Sequence, residues 1–127
     1  MRRKRLPGIL LALLAPGLLP ALAAPPEAAA EIKHLLDHLA GSGCSFNRNG
    51  KWYSGVDAEK HLQKKYAYLL RKDLVTTAES FVELAATASS VSGQPYLVRC
   101  GEQDPVESSV WLLQELERYR DSHEDHR

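Results

Sequence analysis

The pattern of apolar and polar positions changes character along this chain. From Leu6 to Leu22 no charged residue interrupts an apolar run dominated by leucine. Beyond it the apolar residues fall at helical or strand spacing. Ile32, Leu35, Leu36 and Leu39 share one face of a helix over about Glu27–Leu39. Ala40-Gly41-Ser42-Gly43 ends that helix. Asn49-Gly50 then separates two short extended runs, about 44–48 and 51–54. Asn-Gly is the strongest local hairpin signal, because both turn residues must tolerate positive φ. Ser54 is placed to cap a second helix reaching about Asp73, with Ala58, Leu62, Tyr66, Leu69 and Leu70 inward.

Thr76 and Glu79, three apart, offer a capping box for a third helix over about 77–89. Its inward residues are read as Phe81, Leu84, Ala85 and Ala88. Residues 89–95 are turn chemistry, and Tyr96–Cys100 is a strand. Asp104-Pro105-Val106-Glu107 has the cap, first-turn proline and following acid of a last helix running to about Arg120. That helix is expected to bury Leu112, Leu113, Leu116 and Tyr119. The expected fold is α+β: a small antiparallel sheet of about three strands, four helices and one disulfide. The expected organisation is a leader at 1–23, a flexible lead-in at 24–30, one domain at 31–120 and a polar tail at 121–127.

The leader reading comes from the ends of the apolar run. Arg2-Arg3-Lys4-Arg5 precedes it and Ala21-Leu22-Ala23 follows it. This is the layout of a secretory signal cleaved after Ala23, which implies a periplasmic or secreted protein. The alternative is a permanent membrane anchor. Against it stand Pro7, Gly8, Pro16, Gly17 and Pro20, and a run short of the roughly 20 apolar residues that a bilayer core needs. Membrane contact is therefore expected only through the leader, before cleavage. Four of the sixteen basic residues and none of the sixteen acidic ones lie in it, so twelve face sixteen afterwards, a net charge of −4. That balance disfavours general nucleic-acid binding.

Both cysteines, Cys44 and Cys100, fall in the domain. In an exported chain two cysteines favour one disulfide; the alternatives are a reactive thiol or a metal pair. A metal pair would want further ligands beside each cysteine, and the sequence offers none there.

Blocks spread over the domain carry a resemblance. They are Ser42-Gly43-Cys44-Ser45-Phe46 with Arg48-Asn49-Gly50; Ala58, His61-Leu62 and Lys65-Tyr66; and Thr77-Ala78-Glu79 with Phe81. Ser92-Gly93, Pro95-Tyr96 and Val98-Arg99-Cys100 follow, then Trp111-Leu112, Glu115-Leu116 and Tyr119-Arg120. Over about 31–120 the chain resembles a family of small exported bacterial proteins classed only as a domain of unknown function. The resemblance supports export and the disulfide, and it supplies no mechanism.

The second helix is the unusual segment. Lys60, His61, Lys64, Lys65, Arg71 and Lys72 lie on it in a domain that is acidic overall. On a helical wheel His61, Lys65, Tyr68 and Lys72 form a stripe, which Arg48 and Lys51 of the hairpin extend. Such a face suits a carboxylate or phosphate group, with arginine giving the bidentate contact. The plain alternative is a solvated helix face. The leading expectation is a non-catalytic binding module whose partner is an acidic protein or an anionic cell-envelope component. The rivals are an envelope enzyme using His61 as acid or base, and an inhibitor of an envelope enzyme.

No catalytic set can be placed, no motif calls for a cofactor, and no metal site is expected. His34 and His38 have a ligand spacing but no evident third ligand, and read as exposed. His123 and His126 belong to the polar tail. Trp52, Tyr53, Tyr96 and Trp111 are either core or an aromatic platform.

Overall fold

The structure, a computed structural model, describes residues 23–124. The leader before Ala23 and the last three residues of the tail lie outside them. Among the described residues the order is α1 (Pro26–Gly41), β1 (Ser45–Arg48), β2 (Lys51–Ser54), α2 (Gly55–Arg71), α3 (Ala78–Ala85), β3 (Leu97–Arg99), β4 (Val106–Glu107) and α4 (Ser108–Glu124). The fold is α+β, with one antiparallel sheet in the order β2-β1-β3-β4.

The hairpin forms where the sequence places it. Asn49 and Gly50 both take positive φ, 56° and 83°, the requirement of a tight turn that matches strand twist. In the β1–β3 pair Ser45 faces Arg99, Phe46 faces Val98 and Asn47 faces Leu97. Cys44 and Cys100 continue that register by one step and form the disulfide. Phe46 and Val98, buried on the inner face, meet the helices.

Helix α1 is the centre of the core: Ile32, Leu35, Leu36 and Leu39 are all buried. The lead-in is not flexible. Pro25 is the N-cap of α1, with a proline in the first turn, and Ala24 and Ala28 are buried against the core. Helix α2 leaves its cap, where the Ser54 hydroxyl accepts from Asp57 N–H at 3.1 Å, at very close range to the end of α1. A Cβ on Gly55 would lie 2.4 Å from the Leu39 carbonyl oxygen. Only glycine allows that approach.

Local readings of α3 and α4 are corrected. Helix α3 starts one residue later, on a Thr77–Ser80 capping box, because Glu79 is drawn to Arg120 instead. It ends at Ala85, well short of 89, and buries Val82 while Leu84 is exposed. Ala78, Phe81, Val82 and Ala85 share one arc of so short a helix, and Leu84 falls outside it. The Asp104–Glu107 cap signal is overridden by strand pairing: Val106 and Glu107 add a fourth strand to β3, and α4 begins at Ser108. In α4 Leu113 is exposed and Glu115 is buried, since Glu115 has partners on α1. The helix also continues through the start of the expected tail, to Glu124.

Arg120 clasps three helices. It donates to both oxygens of Glu31 on α1, at 2.7 and 2.9 Å, and to both oxygens of Glu79 on α3, at 2.7 and 3.0 Å. Glu31 is buried, so its charge is supported only because this fork satisfies both oxygens.

The disulfide closes a loop with a sequence separation of 56, which in the chain-entropy model corresponds to about 4 kcal/mol of stability. Replacing both cysteines with alanine is expected to lower the unfolding free energy in urea by about 2–4 kcal/mol. A double variant as stable as the parent would show that the pairing of β1 with β3 holds without the bond.

Candidate functional site

The β1–β3 register fixes the first two members of the site. Arg48 and Tyr96 lie one residue beyond the last pair, Asn47–Leu97, at the end of the ladder away from the disulfide. Both continue the inner face of Phe46 and Val98, since side chains alternate along a strand. Helix α2 lies over that end of the sheet and brings His61 and Lys65, one turn apart, onto Tyr96.

Tyr96 is the hub. Its hydroxyl oxygen lies 3.0 Å from Lys65 Nζ and 3.2 Å from His61 Nε2. Lys65 also donates to the Ala88 carbonyl at 3.1 Å. An ammonium can only donate, so the Tyr96 oxygen accepts from Lys65, while the direction of its bond with His61 Nε2 follows the imidazole tautomer. Burial, with the charges of Arg48, Lys65 and Lys64, pushes the His61 imidazole down to about 4. The ring is therefore neutral at pH 7. Burial raises the Tyr96 phenol, with Arg48 opposing, so the hydroxyl keeps its proton. Burial and Arg48 lower the Lys65 ammonium.

Arg48 acts on all three groups. Its guanidinium lies 4.5 Å from the centre of the Tyr53 ring. A ring below the guanidinium leaves the N–H groups at its edge free to donate. Among the described residues neither Arg48 nor Lys65 is paired with a carboxylate. Beside them is a cleft of about 30 Å³, walled by Leu39, Phe46, Tyr53, Ala58 and Leu62 and edged by Arg48, Asp57, His61 and Tyr96. That is room for one or two waters or one small apolar group. Ser108 lines it too, so serine, histidine and aspartate meet there. The hydrogen bond of His61 nevertheless goes to Tyr96, without the serine-to-histidine link that a nucleophilic triad requires.

Of the stripe read from the wheel, His61 and Lys65 are brought together with Arg48. Tyr68 is 52% exposed and pairs with Lys72, whose Nζ lies 5.7 Å from its ring centre. These two stand apart on the surface. Tyr96 is the member that a charge-based reading misses. Its signal was its parity with Val98 and Cys100, which assigns it to the inner face of the strand.

The two histidines of α1 are not exposed. His34 donates Nε2–H to Glu115 at 2.6 Å, and His38 Nε2 lies 3.7 Å from the other oxygen. Arg118 forks onto both oxygens, at 2.8 and 2.6 Å. Burial raises the Glu115 carboxyl, but the hydrogen bonds of Arg118 and His34 and the charges of His38 and Arg118 outweigh it and leave it lowered. The rings of Trp111 and Tyr119 flank His38 and His34. This is a hydrogen-bonded joint between α1 and α4, built on the Arg118–Glu115 ion pair within α4. Among the described residues no group of three or more His, Cys, Asp or Glu is arranged to hold a metal ion, and no helix is long and apolar enough to cross a membrane. A wider groove of about 590 Å³ between the start of α1 and the end of α4 has Arg120 as its cation, and Arg120 is already held by Glu31 and Glu79.

A base whose pKa is depressed by folding stabilises the fold above its ordinary pKa. For His61 that contribution is present above 6.5 and is lost as pH falls toward about 4, because the unfolded chain then binds the extra proton. The unfolding free energy is expected to fall between pH 6.5 and 4, and His61→Asn should make the slope shallower. His38, lowered first by burial, keeps part of the slope in that variant. An unchanged slope in His61→Asn would contradict this assignment.

Comparison with known proteins gives one match: a family model described as a family of unknown function, DUF5329, covers residues 26–120. No curated protein and no solved structure matches the chain. The matched span begins at the first residue of α1 and takes in the disulfide, the whole sheet and every member of the Tyr96 cluster. The chain therefore belongs to the DUF5329 family of unknown function.

Proposed function

We propose that this is an exported, non-catalytic binding module that recognises an anionic group through Arg48, His61, Lys65 and Tyr96. The observation that carries the reading is the absence of any carboxylate paired with Arg48 or Lys65 among the described residues. Elsewhere in the same domain the inward-facing charges are met: Glu31 by Arg120, and Glu115 by Arg118 and His34. A domain that pairs its buried charges and leaves the half-buried Arg48 and Lys65 without a carboxylate has a place for an external anion.

Export rests on the basic start, the uncharged apolar run and Ala21-Leu22-Ala23. The Cys44–Cys100 disulfide supports an oxidising compartment. The partner is then an envelope component, or an acidic protein of the envelope, that presents a carboxylate or phosphate. The broad basic stripe contracts in this reading to one cluster, with Tyr68 and Lys72 outside it.

Calorimetric titration with acetate, inorganic phosphate and a short glutamate peptide tests this. At least one anion should bind, and Arg48→Gln should weaken it about tenfold or more, the size of a lost charge-assisted contact. Lys72→Gln should bind as the parent does. Equal losses in both variants would restore the broad face, and unchanged binding in Arg48→Gln would remove the cluster.

A further inference from the structure

The cleft beside the cluster restricts what kind of anion fits. We infer that the ligand is the terminal carboxylate of a peptide ending in a methyl-sized residue, with the carboxylate on Arg48 and the methyl group in the cleft. The inference deepens the anion-site reading and rests on it.

Size is the first argument. About 30 Å³, the room of one or two waters, suits a methyl group better than a ring or a long branched chain. The walls are the second. Leu39, Phe46, Ala58 and Leu62 offer no hydrogen bonds from their side chains, while a buried water wants two to four polar partners. An apolar group displaces water from such a site favourably. The ligand is thus apolar within a bond or two of its charged group.

Charge is the third argument. Arg48, Lys65 and Lys64 all act on His61, and Asp57 is the one carboxylate among the residues lining the cleft. The surplus is positive, which suits an anion. Phosphate near neutral pH carries more than one negative charge and would meet Asp57. Geometry agrees, because the planar fork of an arginine stacked on Tyr53 presents two parallel N–H groups to two carboxylate oxygens. Asp57 also has a use for such a ligand. The last residue of a peptide carries an amide N–H two bonds from its carboxylate carbon, and a carboxylate at the edge of the cleft is its acceptor.

The test is a titration of the isotopically labelled, disulfide-bonded protein in its processed form, followed by NMR. The probes are N-acetylalanine in both enantiomers, N-acetylalaninamide, N-acetylglycine, N-acetylleucine and inorganic phosphate. One N-acetylalanine enantiomer should shift the signals of Arg48, Ala58 and His61 saturably and bind about fourfold tighter than N-acetylglycine, the effect of one buried methyl. The amide should not bind, and N-acetylleucine should bind more weakly than N-acetylalanine. Ala58→Leu, which fills the cleft, should abolish the preference for alanine over glycine. Parent-like amide signals outside the cleft report that the variant is folded. Equal affinity for alanine and leucine, or for acid and amide, would overturn the inference. Phosphate binding without N-acetylalanine binding would also overturn it and leave the anion site standing. Binding of none of the probes would remove both.

Discussion

The pairing of β1 with β3 is the constraint on which the site depends. These strands are separated by β2, α2, α3 and a long turn, so nothing local brings them together. Their register, continued at one end by Cys44–Cys100, ends at the other with Asn47–Leu97, next to Arg48 and Tyr96. The disulfide and the functional cluster are thus opposite ends of one ladder, and slipping it by a residue would turn Arg48 or Tyr96 to the outer face. Helix α2 is held to this frame by the contact of Gly55 with the Leu39 carbonyl. A larger residue would lift the start of α2 and carry His61 and Lys65 away from Tyr96.

The domain holds its helices with polar joints as well as a core. Arg120 binds α1 and α3 to α4, and Glu115 with Arg118 and His34 binds α1 to α4 again. Breaking one partner of such a joint leaves a buried charge uncompensated. The Tyr96 cluster differs in kind. Its charges meet a hydroxyl and a backbone carbonyl, and its histidine is kept neutral. In the proposed function this contrast separates the charges that support the fold from those offered to a ligand.

Much of this was legible in the sequence. Asn49-Gly50, the Ser54 cap, the apolar face of α1 and the two cysteines each express a local rule that the fold obeys. The errors came where a distant partner outweighed a local signal. Glu79 left its capping role for Arg120, Val106 and Glu107 left a helix start for a strand partner, and Glu115 displaced Leu113 from the buried face of α4. His34 and His38 lie off the apolar stripe of α1, and only the position of Glu115 on α4 reveals that they are half-buried. The basic stripe on α2 was readable as composition. Its division into an inward pair, His61 and Lys65, and an outward pair, Tyr68 and Lys72, required the position of the strand that carries Tyr96.

The most direct test of the account is the ¹⁵N spectrum of the His61 ring at pH 7 and through acidification. An imidazole neutral at pH 7, hydrogen-bonded through Nε2 to Tyr96 and titrating well below 6.5, is the predicted result. A ring titrating near 6.5 as a free histidine does would mean that Tyr96, Arg48 and Lys65 do not form the site described.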